Sequence, residues 1–226
     1  MYKSDFEKFA ESNGVSNLTL HKYKNSRFWG GMISPNIVEE RTGNPLQIDV
    51  FSKLFTNRIL FLGTEIDADV ANIINSQLLY LQMDNPNAPI NLYLNTPGGS
   101  VYDGLSIYDT MNYVKCPVYT TCLGLAASMG SVLLAAGERG NRSALPHSRI
   151  MIHQPMGGVH GQASDIEITA KEILTLKDEL YQIISNHSGQ AIEKIYEDGD
   201  RDHWLRAEEA MKYGEFGLID KIITKE

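Results

Sequence analysis

Long hydrophobic runs are missing from this sequence: its longest fully apolar stretch, Val132 to Ala136, covers about five residues. A helix that crosses a bilayer needs roughly 20, so the sequence predicts no membrane partner. The N-terminus also lacks an apolar core, and it carries Asp5, Glu7 and Glu11. Neither a secretory signal nor an arginine-rich transit peptide has this composition. We therefore expect a cytoplasmic protein.

Basic residues and cysteines are also scarce. The net charge is -8, with 20 Lys and Arg against 28 Asp and Glu, whereas nucleic-acid-binding domains are rich in basic residues. The two cysteines, Cys116 and Cys122, are placed roughly 20 Å apart by a strand rise of about 3.3 Å per residue, too far for a disulfide. We interpret them as buried, reduced thiols. The sequence predicts no nucleic-acid partner and no metal site.

The remaining composition is that of a folded protein. Hydrophobic residues make up 42% of the 226 residues and charged residues 21%, which excludes disorder over most of the chain and fits one large domain or two small ones. Residues 1–34 differ, because they are polar and lack sustained periodicity. We interpret residues 1–34 as a leader, either a floppy tail or a prosegment, and residues 35–226 as a single domain.

From residue 59 onward, short apolar runs alternate with helical patterns. The predicted strands are 59–63, 90–94, 118–123 and 149–153, and the predicted helices are 67–82, 101–114, one beginning near Ala126, and 164–188. Such alternation predicts an α/β fold with a parallel sheet. The last helix begins with a possible capping box, Ser164 with Glu167, and ends at Gly189. Its apolar stripe fits either an ordinary core helix or one that projects towards another subunit.

Three residues supply the parts of a hydrolytic site. Ser128 lies among small residues at a strand-to-helix junction, His153 ends a strand, and Asp202 lies in a charged loop. A serine nucleophile needs a base, and the base needs a carboxylate that fixes its tautomer. Each residue also has an ordinary interpretation: a helix cap, a satisfied histidine and a solvated charge. The segment NTPGGS at 95–100 fits either a turn without a ligand or a close backbone approach to one.

Several motifs together resemble the proteolytic subunit of the ATP-dependent Clp protease, the ClpP family of serine peptidases. The resemblance runs from about Asn36 to the end of the chain. The motifs are FLGTEID at 61–67, NTPGGSVYDGLSIYDTM at 95–111, GLAASMGSVLLAAG at 124–137, LPHSRIMIHQP at 145–155, GQASDIEITAKEIL at 161–174 and DRDHWLRAEEAMKYGEFGLIDKI at 200–222. The segment GEFG at 214–217 departs from the family's usual YGL by an extra residue or two.

The resemblance implies a spiral of βαβ units, as in Clp proteases and crotonases, with a long protruding handle helix. It implies Ser128 as nucleophile, His153 as base and Asp202 as the orienting carboxylate of a serine endopeptidase. The resemblance also implies that the backbone N–H groups of Gly99 and Met129 form an oxyanion hole. A strand of Met156, Gly157, Gly158 and Val159 would pair with the substrate. Arg201 would make contacts between rings, and a partner would dock at Tyr93 and Tyr113. The implied partners are other copies in two stacked seven-membered rings, unfolded polypeptides and an AAA+ unfoldase. No cofactor is expected, because the unfoldase uses the ATP.

Two other functions stay open on the sequence. A regulatory ring subunit would keep the fold but lack a triad residue, whereas all three are present here. A hydratase or isomerase of the crotonase type would use paired backbone N–H groups with acidic residues and no serine–histidine pair. For the serine peptidase, we expect the leader to be removed by the protein's own active site, at a bond between about Phe28 and Asn36.

Overall fold

A computed structural model describes residues 36–41 and 44–225. The predicted leader of residues 1–34 lies outside these ranges, and the predicted domain of residues 35–226 stays a prediction. The chain divides into two compact units, residues 1–54 and 55–226. In the first, β1 (Asn36–Arg41) and β2 (Asn44–Asp49) form an antiparallel pair.

A short helix, α1 (Val50–Phe55), follows β2. The side chain of Asp49 caps this helix at its N-terminus, because its Oδ1 accepts hydrogen bonds of 3.0 Å from the N–H groups of Phe51 and Ser52. These are N–H groups that a helix leaves unpaired in its first turn.

The second unit is built on a seven-stranded sheet that is parallel except at one pair. Five strands follow the order β3-β4-β5-β6-β9, while β7 pairs with β5 and with β8. Their bounds are β3 Ile59–Leu62, β4 Ile90–Thr96, β5 Val118–Ala127, β6 Arg142–Ala144, β7 Arg149–Ile152, β8 His203–Arg206 and β9 Lys221–Ile222. Only the β7–β8 pair of this sheet is antiparallel. The predicted α/β class with a parallel sheet is confirmed.

Helices connect these strands, and their starting points follow local capping. Their bounds are α2 Ala68–Asp84, α3 Val101–Tyr113, α4 Met129–Ala135, α5 Ala163–Ser188, α6 Ile192–Asp198 and α7 Ala207–Met211. The side chain of Asp67 accepts a hydrogen bond from the N–H of Val70 and caps α2. Ser100 caps α3 in the same way through the N–H of Asp103. Asp and Ser are preferred at this position because their oxygens replace the missing helical acceptor.

Two predicted boundaries were wrong. Strand β5 runs to Ala127, and α4 begins at Met129 rather than near Ala126, because Leu125 to Ala127 pair with β7 and stay extended. The predicted capping box at Ser164 is also absent: α5 begins at Ala163 after Gln162, without a side-chain cap. Gly189 ends α5 in the left-handed region at φ 70°, as predicted.

Helix α5 is buried along only part of its length. Its buried side chains are Leu176, Leu180, Tyr181, Ile183, Ile184 and Ser188, all in the second half. In the first half, Ile166, Ile168 and Leu174 are exposed. The predicted apolar stripe therefore contributes to the core of this unit only from Leu176 onward.

The two cysteines agree with the prediction made from their spacing. Cys116 and Cys122 are both buried and free, as expected for reduced thiols. No helix in the described part of the chain is both long and apolar enough to cross a membrane.

Arg142 is a buried charge that joins distant parts of the second unit. Its side chain is 1% exposed and pairs with Asp220, with an Nη2–Oδ1 distance of 2.6 Å. The guanidinium also donates to the backbone carbonyls of Ala135, His187 and Phe216. Burial by itself raises the pKa of Asp220, but the hydrogen bonds and charge of Arg142 outweigh it, so the pKa is lowered.

We expect Asp220→Ala to lower the free energy of unfolding by about 3–5 kcal/mol, because it leaves the Arg142 charge buried and unpaired. Urea unfolding followed by circular dichroism measures the loss. The matched control is Asp84→Ala: the Asp84 carboxylate pairs with Arg58 at 3.2 Å but is 58% exposed, so its loss costs about 1 kcal/mol or less. Equal losses in the two variants would contradict the prediction.

The lowered pKa of Asp220 also gives the ion pair a pH dependence. Its contribution is complete above the ordinary carboxylate pKa of about 3.9 and is lost as the pH falls through the lower folded value. In Asp220→Ala, this part of the acid sensitivity should be absent.

Candidate active site

Ser128 has an unusual backbone at the junction of β5 and α4. Its φ of 54° is positive, a conformation that few residues other than glycine adopt. The N–H of Ser128 donates to the carbonyl of Met151 on β7, at 2.9 Å, and thereby holds the turn against the neighbouring strand. Although Ser128 precedes α4, its side chain makes no capping hydrogen bond. The interpretation of Ser128 as a helix cap is therefore wrong, and its hydroxyl is available for another partner.

That partner is His153, which in turn meets Asp202. The Nε2 of His153 lies 2.9 Å from Ser128 Oγ, and its Nδ1 lies 3.0 Å from Asp202 Oδ1. The imidazole is largely buried, whereas the Asp202 carboxylate is 59% exposed. The structure thus brings the three predicted residues into one hydrogen-bonded chain, in the order nucleophile, base and carboxylate.

Strand register explains this convergence. Ala127 and Met151 form the last pair of the parallel strands β5 and β7. Ser128 and His153 therefore both follow the carboxyl ends of these two neighbouring strands. Ile152 is paired with His203 across the antiparallel β7–β8 pair, which places Asp202 opposite His153. Parallel sheets build their sites at such carboxyl ends.

Two glycines let the 95–100 loop approach the Ser128 turn. A Cβ on Gly98 would lie 2.7 Å from the Cβ of Ser128 and 2.6 Å from the carbonyl oxygen of Ala127. Gly98 also has a φ of 91°, so a larger side chain is excluded by both space and conformation. Gly99 follows in an extended contact with Ile66, whose carbonyl accepts from the N–H of Ser100.

The backbone N–H groups of Gly99 and Met129 belong to these two facing turns. Met129 is the first residue of α4, where a helix leaves its N–H groups unpaired. Within the described part of the chain, neither N–H donates a hydrogen bond. Both are therefore free to donate to a bound group.

Thr96 is a contributor that the sequence interpretation missed. Its hydroxyl donates to the carbonyl of Thr64 at 2.5 Å and accepts from the N–H of Gly98 at 3.1 Å. It thereby ties the loop before Gly99 to the end of β3. The available sequence signal was its position in the NTPGGS motif, two residues before Gly98.

Among the described residues, the predicted substrate-pairing segment from Met156 to Val159 is not part of a strand. Strand β7 ends at Ile152, and residues 153–160 belong to no helix or strand. Met156 is 84% exposed, Gly157 and Gly158 are exposed, and Val159 is half-buried. The physical reason is that none of the described strands pairs with this segment, and its two glycines favour the extended state only weakly. Whether it pairs with a substrate backbone stays a prediction.

The remaining predicted site residues are Arg201, which is adjacent to Asp202 in sequence, and the tyrosines Tyr113 and Tyr93. The Arg201 side chain is 93% exposed, 3.9 Å from Asp200. Tyr113, at the end of α3, is 73% exposed and is therefore not a core residue. Tyr93 on β4 is half-buried. Among the described residues, no group of three or more His, Cys, Asp or Glu side chains is arranged to hold a metal ion.

The sequence is similar to known proteins over most of its length. The family model described as Clp protease matches residues 42–226. A protein of Porphyromonas gingivalis named ATP-dependent Clp protease proteolytic subunit is 55% identical over 223 residues, 98% of each chain. Its namesake from Bacteroides fragilis is 54% identical over 222 residues, which cover 98% of this chain and 99% of that one. A Salinibacter ruber protein, named proteolytic subunit 1, is 53% identical over 207 residues, 88% of each. The chain therefore belongs to the Clp protease family and is a serine-type endopeptidase.

Proposed function

We propose that this chain is the proteolytic subunit of an ATP-dependent protease and cuts unfolded polypeptides into short peptides with Ser128, His153 and Asp202. The observation that carries the proposal is the hydrogen-bonded chain from Ser128 Oγ through the imidazole to Asp202, with distances of 2.9 and 3.0 Å. These separations lie within the reach needed for proton transfer and for orientation of the base.

Each residue has one step in hydrolysis. Ser128 Oγ attacks the peptide carbonyl while His153 Nε2 takes its proton, and the imidazolium then protonates the leaving amine. Asp202 accepts from Nδ1–H, which keeps the unprotonated nitrogen towards Ser128. Water, activated by the same imidazole, then releases the acyl group from Ser128.

The N–H groups of Gly99 and Met129 form the oxyanion hole of this mechanism. Both are without a partner in the described part of the chain, and they lie on the two turns that Gly98 brings together. Donors held in place before the reaction stabilise the negative charge that develops on the carbonyl oxygen. No metal or organic cofactor takes part, because the hydroxyl, imidazole, carboxylate and backbone supply every group required.

The open segment from Met156 to Val159 receives the substrate backbone. Its residues are mostly exposed, and none of the described strands pairs with them. An extended peptide added beside it would be held by main-chain hydrogen bonds, which do not depend on side-chain identity. The site should therefore accept substrates of many different sequences, which a protease that degrades unfolded proteins requires.

Covalent labelling tests this function directly. A fluorophosphonate should modify Ser128 in the intact protein, and mass spectrometry of its peptides should locate the adduct there. The variant His153→Ala, which lacks the base, should label far more slowly. Absence of labelling in a folded protein that still acts on acyl thioesters would favour the crotonase-type alternative and overturn the proposal.

We propose that copies of the chain assemble into two stacked seven-membered rings, through the exposed half of α5 and through Arg201. The support is that Ile166, Ile168 and Leu174 leave apolar area uncovered on this helix, and such surfaces mark protein interfaces. Native mass spectrometry should give the mass of 14 chains, each 25.2 kDa before the leader is removed and correspondingly smaller afterwards. A monomer at micromolar concentration would contradict this arrangement.

An AAA+ unfoldase supplies the substrate. The unfoldase docks on a surface that includes Tyr93 and Tyr113. We expect Tyr113→Ala to weaken unfoldase binding by about 2 kcal/mol, or roughly 30-fold, because exposed aromatic residues are frequent anchors. Tyr93→Ala should act in the same direction. Degradation of a folded protein with the unfoldase and ATP measures the effect.

Hydrolysis of a small peptide without the unfoldase is the control for that experiment, and it should stay near wild type. Tyr113→Phe keeps the ring and should also behave as wild type. Unchanged unfoldase-dependent degradation in both alanine variants would show that docking occurs elsewhere.

A further inference from the structure

The loop that carries Asp202 is held by side chains from outside it. Asp202 is 59% exposed, so packing of its own side chain contributes little to its position. Residues 199–202 connect α6 to β8 and form a turn and a bend. The β7–β8 pairing fixes the end of this loop, so the placement of the carboxylate against His153 depends in addition on what fixes the loop at its start.

The first anchor is the carbonyl of Gly199, which accepts two hydrogen bonds. One comes from the Tyr181 hydroxyl at 2.7 Å, and the other from the N–H of Gln154, also at 2.7 Å. Gly199 has an ordinary φ of -81°, so other residues could adopt its backbone conformation. A larger residue would not fit, however, because a Cβ at this position would overlap the hydroxyl end of Tyr181.

The second anchor is the side chain of Gln154, the residue after His153. Its Nε2 donates to the carbonyl of Asp200 at 2.8 Å. Its Oε1 accepts at 3.2 Å from Nζ of Lys177, one helical turn before Tyr181 on α5. Helix α5 thus reaches the Asp202 loop twice: directly through Tyr181, and through Gln154 from Lys177.

Tyr181 is suited to a fixed donor role. It is 1% exposed, and its ring packs edge-on against Tyr196 with 4.9 Å between centroids. Burial raises the pKa of Tyr181 to about 12, with further contributions from Asp200 and Tyr196. The hydroxyl therefore keeps its proton, and keeps donating to Gly199, throughout the pH range in which the protein works.

We propose that Tyr181 is a positioning residue, whose hydroxyl holds Gly199 so that Asp202 meets Nδ1 of His153. The inference rests on the proposed function, since it assigns a role relative to the carboxylate of that site.

Tyr181→Phe tests the proposal by removing one oxygen while keeping the ring. In the assembled protein, kcat for a fluorogenic peptide should fall roughly tenfold, since small misplacements of reacting groups are costly, while KM should change by less than about twofold. The matched control is Tyr196→Phe. It removes the hydroxyl of the packing partner, which bonds to Asp178 rather than to the loop, and it should keep the wild-type kcat.

A double-mutant cycle separates positioning from general damage. In an Asp202→Asn background, Tyr181→Phe should have no further effect on kcat, because the group that it positions has already been lost. The same tenfold loss in both backgrounds, or wild-type kcat in Tyr181→Phe alone, would overturn the inference. Native mass and circular dichroism of each variant should match the wild type, and a Tyr181→Phe protein that fails to assemble would also overturn it.

The proposed function has its own readout in this experiment. Fluorophosphonate labelling of Ser128 in the wild type tests the proposed function alone, whatever the kinetics of Tyr181→Phe turn out to be. If Ser128 is labelled and Tyr181→Phe behaves as wild type, the inference fails and the function stands. If Ser128 is not labelled, the function itself fails.

Discussion

Ser128→Ala is expected to lower kcat/KM for peptide hydrolysis by about 10⁴–10⁶-fold, because removal of a member of such a triad has effects of this size. The fold should persist. The substitution removes one oxygen that caps no helix, and alanine meets the positive φ of 54° no worse than serine. The loss therefore falls on the chemistry rather than on stability.

Peptide hydrolysis at saturating and limiting substrate measures this loss, with native mass spectrometry to verify assembly. The matched control is Ser148→Ala. It also removes a serine hydroxyl, in this case a buried one that donates to the carbonyl of Cys122 rather than contacting His153. Its kcat/KM should stay within about twofold of wild type, at a stability cost of about 1 kcal/mol. Activity of Ser128→Ala within tenfold of wild type would remove Ser128 from the mechanism.

Asp202→Asn is expected to reduce kcat by about 10⁴-fold while the protein stays assembled. The carboxylate lies 3.0 Å from Nδ1 of His153 and can only accept, so it selects the tautomer with the proton on Nδ1. An amide can turn its NH₂ group to that nitrogen and select the opposite tautomer, in which Nε2 is protonated and cannot take the proton of Ser128.

The control for this variant is Asp200→Asn, two residues earlier in the same loop. The Asp200 carboxylate is 65% exposed and has no contact with His153, so we expect a loss of less than tenfold. Sizing is needed for both variants, because Arg201 lies between the two positions and is assigned to contacts between rings. An intact Asp202→Asn assembly with near-normal turnover would show that a different carboxylate orients His153.

The parts of the site that could be predicted from sequence are those with local signals. Strands β3 and β4 are short apolar runs bounded by turn residues, and Ser128 lies among small residues, so each has its pattern within a few positions. Ser128, His153 and Asp202 could be grouped by their chemistry and by the family motifs. Their distances could not be predicted, because these follow from the register of β5, β7 and β8.

The parts that could not be predicted depend on pairing between distant residues. The end of β5 is extended because it meets β7, whose residues lie more than 20 positions later. The Ser164 capping box was wrong for the opposite reason: the local pattern is present, but α5 begins one residue earlier. Tyr181 gave no signal, since its role requires a carbonyl that lies 18 residues away in sequence.

The ion pair of Arg142 and Asp220 has a consequence for the protein during its synthesis. The two residues are 78 positions apart, and Asp220 lies close to the C-terminus. At translation rates of about 5–20 residues per second, roughly 4–16 s separate their appearance. Until Asp220 is made, the Arg142 guanidinium has no carboxylate partner at this site, and burying it there is costly. We therefore expect the packing around β6 to become stable only after residue 220 has been added, which places this part of the fold late in synthesis.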